Sequence, residues 1–516
     1  MPVYFIDTII IIFYMGAILI FGLHFRKYVS STEDFFLAGK MLPWWVISFS
    51  IIGTNIGAYD YMGASGGAFR FGIAQANYEW LGAIPAMIVS ALLVIPYLWR
   101  NGVYTVPEYL GKRYQASVRT IEAVIYGLFL VALLGIFFWA SGLMLHTYLG
   151  WPLKLSIMIT AVIVGVYTIT GGLAAVAVTD VVQCGVMFVG GISVAFIGFW
   201  KAGGVKEFFV MLSSTHPQHL KVFLPLDNPQ LPWLGMIFGL GLVLSPAWWC
   251  ANQSIIQRTL GARSEWDAKA GMLFAAFPKI MVPILVVLPG LFALMFAYSW
   301  IELPGPFKWV LPFPAISNPD QALPWVIKNL LPPGLAGLVF VAFIAALHSS
   351  VDSTLNSAST LWTRDIYQRY IRRKASDRHY LLVGRILTGC FVIFGVIFAP
   401  VTAKFPGIYV AMQNLLSFFQ GPTLATLLLG ILWWRSTKWG GFFGLTGGVA
   451  SAVVMFLFKM NFLYVAWWSF VASALINVIV SFFTSPEKPE KLRGLVYRFL
   501  ERDEKAQKIL RQKVEG

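Results

Sequence analysis

Ile51-Ile-Gly-Thr-Asn-Ile-Gly-Ala-Tyr-Asp-Tyr-Met-Gly-Ala-Ser-Gly-Gly67 is apolar enough to be buried in lipid, yet five of its 17 residues are glycine. Each glycine inside a helix costs about 1 kcal/mol relative to alanine. The run therefore predicts a helix interrupted in its middle. A second stretch reads the same way: Gly239-Leu-Gly-Leu-Val-Leu-Ser-Pro-Ala-Trp-Trp-Cys-Ala-Asn252, with the break expected at Pro246. Proline removes a backbone donor and its ring collides with the preceding turn. Each stretch opens a set of five predicted helices, over 42–200 and 232–434. Small residues at this spacing also serve close helix packing. Two interruptions at corresponding positions of two halves are, in addition, the sequence mark of a solute-binding site at the membrane midplane. There, unwound backbone frees carbonyls for a cation and amides for a solute.

The rest of the chain supports a membrane setting. It has 516 residues, 58% hydrophobic and 12% charged, with a mean hydropathy of +0.73. A soluble domain carries roughly 25% charge. About thirteen apolar spans of membrane-crossing length are predicted, at 4–25, 42–70, 78–99, 118–148, 152–170, 175–200, 232–256, 268–299, 332–363, 380–400, 407–434, 440–459 and 462–484. The expected fold is an all-α polytopic membrane protein. A single transmembrane domain covers 1–484 and a basic tail covers 485–516. The first span lacks a basic flank and a small-residue cleavage site, so it reads as a retained helix rather than a signal peptide. Cys184, Cys250 and Cys390 all fall in apolar segments and imply no disulfide framework.

The net charge is +15. In a soluble protein that would point to nucleic acid. Here the basic residues gather in short loops: His24-Phe-Arg-Lys27, Arg100 to Arg119, Arg258 to Lys269, and Arg364 to Arg378 with five Arg and one Lys. All four fall on one side if the N-terminus is outside. That is the positive-inside pattern, which puts the C-terminus in the cytoplasm of a cell membrane and makes the bilayer, not nucleic acid, the partner. The tail holds nine basic and six acidic residues. It reads as a solvated helix or as one lying near anionic lipid. Nothing in the sequence fixes an oligomeric state.

Five ionisable side chains sit in predicted spans: Asp60, Glu79, Asp180, Lys279 and Asp352. A charge at the bilayer centre costs about 2.5 kcal/mol or more, so such residues mark solute or ion pathways by default. Ala346, Ser349, Ser350 and Ser353 are spaced to share one helix face, with Asp352 beside them. Hydroxyls and a carboxylate are hard oxygen ligands of the kind alkali and alkaline-earth cations take. A lone serine in such a helix often bonds back to its own backbone. Asp180 reads either as part of this cation site or as a helix cap near the interface. His348 reads as a core imidazole without a functional role.

The run Ser349-Ser-Val-Asp-Ser-Thr-Leu-Asn-Ser-Ala-Ser-Thr-Leu-Trp-Thr-Arg-Asp-Ile-Tyr367 resembles a core helix of the sodium/solute symporter family, which includes the sodium/glucose cotransporters. Asn252-Gln-Ser-Ile-Ile-Gln-Arg-Thr-Leu260, Thr170-Gly-Gly-Leu-Ala-Ala-Val, Thr105-Val-Pro-Glu-Tyr-Leu and Asp34-Phe-Phe-Leu-Ala-Gly-Lys40 also match, and the likeness extends over about residues 4–484. The resemblance implies a LeuT-like fold of two inverted five-helix repeats with flanking helices. It implies Na+ as the coupling ion. The main sodium site would use Gly53 and Ile56 carbonyls with Ala346, Ser349 and Ser350. A possible second site would use Asp180, Ser349, Asp352 and Ser353. The matching solute positions are Asn55, Glu79, Lys279 and Gln413, with Trp249 stacked nearby.

Four departures stand out. Asp60 replaces the His or Gln of sugar carriers, Trp248 replaces an inner-gate Tyr, and two lesser contacts read Gly82 and Ser245. Asp60 could bind polyol hydroxyls, pair with a cationic solute, or pair with Lys279. The expected function is sodium-driven symport of a small polar solute: a sugar, a polyol or a related hydroxylated compound. The alternatives are a symporter of an organic cation or amino acid held by Asp60, and a transporter-like sensor, against which the short tail argues. No covalent chemistry is implied, so no enzyme is expected.

Overall fold

The computed structural model describes residues 5–25, 31–298 and 316–497. Arg26 and Lys27, residues 300–315 of the stretch between the spans predicted at 268–299 and 332–363, and the tail beyond 497 lie outside the described residues. The described residues form helices and turns, with only two isolated β-bridges.

The glycine-rich run breaks where expected. Helix Trp44–Asn55 ends at Ile56 (φ −79°, ψ 88°), and the chain resumes through widened turns at Asp60–Ala64 into Ser65–Phe71. Both roles considered for these glycines are met at once. A Cβ on Gly53 would lie 2.9 Å from the Asp180 carbonyl oxygen, and one on Gly57 would lie 2.6 Å from Ser350 Oγ. The broken segment is thus pressed against the two helices that carry the candidate cation ligands.

The second run needs a correction. Pro246 does not break it. The chain enters Ser245–Ala251 from widened turns at Met236–Leu244, with proline in the first turn, where its missing donor does no harm. The break falls at Asn252 (φ −65°, ψ 115°), whose side chain accepts from Ser254 N at 2.8 Å and starts helix Gln253–Leu260. Two further spans are bent at short breaks: Glu265–Lys279 against Val282–Ala297 by 50°, and Ile408–Ser417 against Gln420–Leu432 by 46°. The boundary predicted at Thr170-Gly-Gly falls inside one helix, Leu153–Lys201. Two glycines weaken a helix without forbidding it.

Among the described residues, eight helices are long and apolar enough to cross a membrane, or ten if each bent pair is one span. The thirteen predicted spans map onto these together with the split 42–70 segment and the shorter apolar helices Phe5–Ala17 and Leu153–Gly165.

Burial orders the bundle. Along Leu335–Ile371, 89% of the apolar window is buried, against 28% for Asp377–Lys404 and 33% for Lys438–Leu457 and Phe462–Phe483. The serine-bearing helix is therefore central and the last helices are peripheral. It packs on Leu153–Lys201, Ala116–Leu149 and Phe5–Phe25. Asp7 of Phe5–Phe25 accepts from Gly334 N at 2.7 Å and Gly337 N at 2.9 Å. A carboxylate at a helix N-terminus satisfies donors that have no partner in the helix.

One end of the molecule gathers the basic loops. Arg100 pairs with Glu265 at 2.5 Å and Arg119 with Asp365 at 2.6 Å. The start of the tail docks there: Tyr109 donates to Leu495 O at 2.6 Å and Lys491 to Tyr114 O at 2.6 Å, with Leu492 and Val496 buried.

Candidate functional site

The four interrupted segments converge on one small cavity of about 40 Å³. All seven solute positions expected from the sequence line it: Asn55, Asp60, Glu79, Trp248, Trp249, Lys279 and Gln413. All but Glu79, which opens the continuous span Tyr78–Arg100, lie at or near a break. Asn55 and Asp60 flank the first gap, Lys279 ends the helix before the 50° bend, and Gln413 precedes the 46° bend. Breaks let side chains from several helices meet at one depth, which an intact bundle does not.

Polarity within the cavity is mixed. Lys279 Nζ donates to Glu79 Oε2 at 2.5 Å and lies 5.5 Å from the centre of the Trp249 ring. Both partners are buried. Asp60 makes no ion pair among the described residues. Its Oδ2 accepts from Gly57 N at 2.9 Å, which holds the turn that restarts the broken helix. Gln413 Oε1, Trp248 Nε1 and both amide atoms of Gln420 are buried with no hydrogen-bond partner in the structure. Buried polar atoms are normally satisfied, so this cluster points to a polar ligand.

Sequence reasoning missed the aromatic wall. Tyr78 and Tyr409 meet at 4.6 Å between ring centres and line both this cavity and a second one that includes Arg70, Gln75 and Asp320. Tyr59 adjoins Tyr409 at 6.0 Å. The two cavities are therefore separated by tyrosine rings. The Gly82 departure has a local reason, because a Cβ there would lie 2.4 Å from Ser245 Oγ.

The expected cation ligands also assemble. Ser349 Oγ donates to Gly53 O at 2.6 Å and Ala346 O at 3.2 Å, and Ser350 Oγ donates to Thr54 O at 3.1 Å. Ile56 closes the helix end whose last carbonyls are released from the helical ladder. Carbonyl and hydroxyl oxygens from two helices, with no nitrogen or sulfur among them, suit a hard monovalent cation.

The remaining group holds a residue that sequence reasoning placed in a basic loop. Arg258 is fully buried and pairs with Asp180 at 2.8 Å. It also donates to Ser50 and Ser353. Asp180 lies inside helix Leu153–Lys201 and is a buried ion-pair partner rather than a helix cap. Asp352 accepts from Ser353 at 3.2 Å. His348 is buried on the same helix. Within the predicted spans, two further buried carboxylates escaped the sequence reading: Asp7, and Glu122, which accepts from Thr423 at 2.8 Å.

The sequence motifs pack on one another at the basic end. Gln253 accepts from Val106 N and donates to Tyr104 O, Thr105 donates to Asp365, and Gln257 donates to Phe36 O and Thr360.

Comparison with known proteins agrees with this arrangement. The sequence model of the Sodium:solute symporter family matches residues 35–448. The sodium/glucose cotransporter of Vibrio parahaemolyticus is 35% identical over 494 residues, covering 93% of this chain and 90% of that one. The human sodium/myo-inositol cotransporter is 30% identical, covering 91% and 71%. Among solved structures, a Na+-coupled sialic acid symporter in a substrate-bound outward-open state superposes with a TM-score of 0.82 at 22% identity, over 94% of this chain and 99% of that one. Mhp1, a nucleobase-cation-symport-1 family transporter, gives 0.56 at 13% identity over 89% and 97%. These likenesses establish the LeuT-like fold of a multi-pass membrane transporter. With a family match over most of its length and broken helices that meet at one polar cavity, the chain belongs to the sodium:solute symporter family.

Proposed function

We propose that this protein is a sodium-coupled symporter of a sugar or polyol. The observation that carries the reading is the cavity itself. Glu79 accepts, Lys279 donates, and Gln413 and Gln420 can do both, so vicinal hydroxyls would find complementary partners. Trp249 offers an apolar face for a ring. Sodium would be held by Gly53, Ile56 and Ala346 carbonyls with Ser349 and Ser350. It would tie the first broken helix to the central helix and so favour the state that receives solute. A ligand shifts such an equilibrium only by its different affinities for the two states.

Orientation follows from the basic end. Loops 100–119 and 364–378, Glu265 and the docked tail lie together, which supports a cytoplasmic face there and an N-terminus outside. The cavity beyond Tyr78 and Tyr409 would then be the outer vestibule.

A second reading deserves a test because Lys279 is already paired while Asp60 has no ion pair among the described residues. An ionised Asp60 would leave the cavity one negative charge in excess, which an organic cation or amino group would balance. A thermal-shift panel on purified protein separates the two. Hexoses, polyols, amines and amino acids are compared with and without sodium. Stabilisation by a hexose or polyol only when sodium is present is expected. Stabilisation by amines alone would replace the leading reading.

A further inference from the structure

The basic end of the molecule carries two kinds of positive charge. Arg100, Arg119, Arg263 and Lys269 are each paired with a carboxylate, at 2.5, 2.6, 2.9 and 3.1 Å. Arg369, Arg372, Arg373, Lys374 and Arg378 lie where the central helix ends and helix Asp377–Phe398 begins, and none of them makes an ion pair among the described residues. Asp377 is the one carboxylate within 369–378, and it accepts from Thr32 at 3.4 Å. The turn is nonetheless built. Tyr380 donates to Arg372 O at 2.8 Å, Arg373 Nε donates to Arg369 O at 3.0 Å, and Tyr367 meets His379 Nε2 at 2.9 Å. Arg385 follows on the same helix, about 12 Å along the axis from Asp377 at the helical rise per residue. It is half-buried, its Nε is covered by protein without a hydrogen-bond partner, and it too has no ion pair among the described residues. That helix is a peripheral one and exposes Leu382 and Ile386 beside Arg385, while Ile371 is exposed at the turn.

We propose that the 369–378 turn and Arg385 form a binding site for an anionic phospholipid of the adjoining leaflet. An arginine on a membrane-spanning helix needs a counter-charge or a route to the interface, and its long side chain reaches back toward the headgroups. The protein supplies no carboxylate to Arg385 among the described residues, so a lipid phosphate is the acceptor at hand. Guanidinium groups take phosphate oxygens in pairs, and a basic cluster at the mouth of a span attracts anionic headgroups. Ile371, Leu382 and Ile386 give the acyl chains apolar contact beside the charges. Free phosphate or an acidic protein segment could meet the turn, but neither accounts for an unpaired arginine on a lipid-facing helix. The bound lipid ties the end of the central serine-bearing helix to a peripheral one. The site is independent of solute and coupling ion.

The test counts lipid on the full chain. Purified protein is equilibrated in detergent with equal amounts of phosphatidylglycerol and phosphatidylcholine, and the lipids it retains are counted by native mass spectrometry. The wild type should retain phosphatidylglycerol in excess, and phosphatidylglycerol should raise its melting temperature where inorganic phosphate does not. Arg372→Gln/Arg378→Gln/Arg385→Gln should lose that excess. Lys112→Gln/Arg263→Gln/Lys269→Gln removes the same number of charges from paired residues and should keep it. A wild type without preference, or a triple arginine variant that keeps the preference, overturns the proposal. Equal loss in both triple variants overturns it as well, because the attraction is then diffuse rather than sited. Stabilisation by inorganic phosphate alone, equal to that by phosphatidylglycerol, makes this a phosphate site and overturns the lipid assignment. If the variant with Arg385→Gln does not fold, the exposed pair Arg372→Gln/Arg378→Gln is read in the same way.

Discussion

At the scale of single residues, the cavity works by unsatisfied polarity held in place. Gln413 Oε1 and the Gln420 amide have no hydrogen-bond partner in the structure, while Lys279 and Glu79 neutralise one another. Losing one side of a buried polar contact costs about 1–3 kcal/mol, roughly 5- to 150-fold in affinity. Gln413→Ala should weaken solute binding within that range in a titration and leave sodium binding nearly unchanged. Lys279→Ala should do more, since it strands a buried carboxylate, at about 3–5 kcal/mol. A fall in melting temperature should accompany the loss of binding. Lys279→Met/Glu79→Leu should restore the melting temperature without restoring binding. Asp60→Asn keeps an oxygen to accept from Gly57. It should therefore preserve part of the uptake of a neutral polyol and abolish that of a cation, and measuring both on one variant decides the role of Asp60.

At the scale of elements, function sits where helices are interrupted. The first interruption was legible because five glycines in a short run cannot be reconciled with a regular buried helix. The serine face was legible because its spacing repeats with the helical turn. The second break was misplaced. Proline is disruptive only where its missing donor or its ring meets a formed turn, and the widened turns before Pro246 remove that conflict, leaving Asn252 to redirect the chain. The bends beside Lys279 and before Gln420 carry no comparable glycine cluster. Arg258 was hidden for a different reason. Counted with neighbouring loop residues it looks like part of a cytoplasmic charge cluster, and only the fold shows Asp180 waiting for it. Gly57 tests the contact between elements. A methyl group there would displace Ser350 Oγ, 2.6 Å away, and press on the Tyr59 ring. Overpacking of this kind costs about 1–3 kcal/mol. Gly57→Ala should therefore raise the half-saturating sodium concentration roughly tenfold in uptake assays, with a smaller change in solute affinity at saturating sodium.

At the scale of the whole molecule, a central buried helix bearing the serines is clasped by a broken helix, and the peripheral helices Lys438–Leu457 and Phe462–Phe483 face outward. Energy enters through the ion. Across about 100 mV one inward charge is worth roughly 2.3 kcal/mol, and a tenfold sodium gradient adds about 1.4 kcal/mol. One sodium could then concentrate a neutral solute by roughly several hundred-fold, and a second would multiply that by the same factor again. The most direct test of the account is uptake of labelled hexoses and polyols into proteoliposomes under an inward sodium gradient, with potassium as the control, in the wild type and in Ser349→Ala/Ser350→Ala. The account predicts concentrative uptake of at least one hydroxylated solute that requires sodium in the wild type and is lost in the folded double variant. Uptake that proceeds equally in potassium, or that survives with unaltered sodium dependence in the double variant, would contradict it.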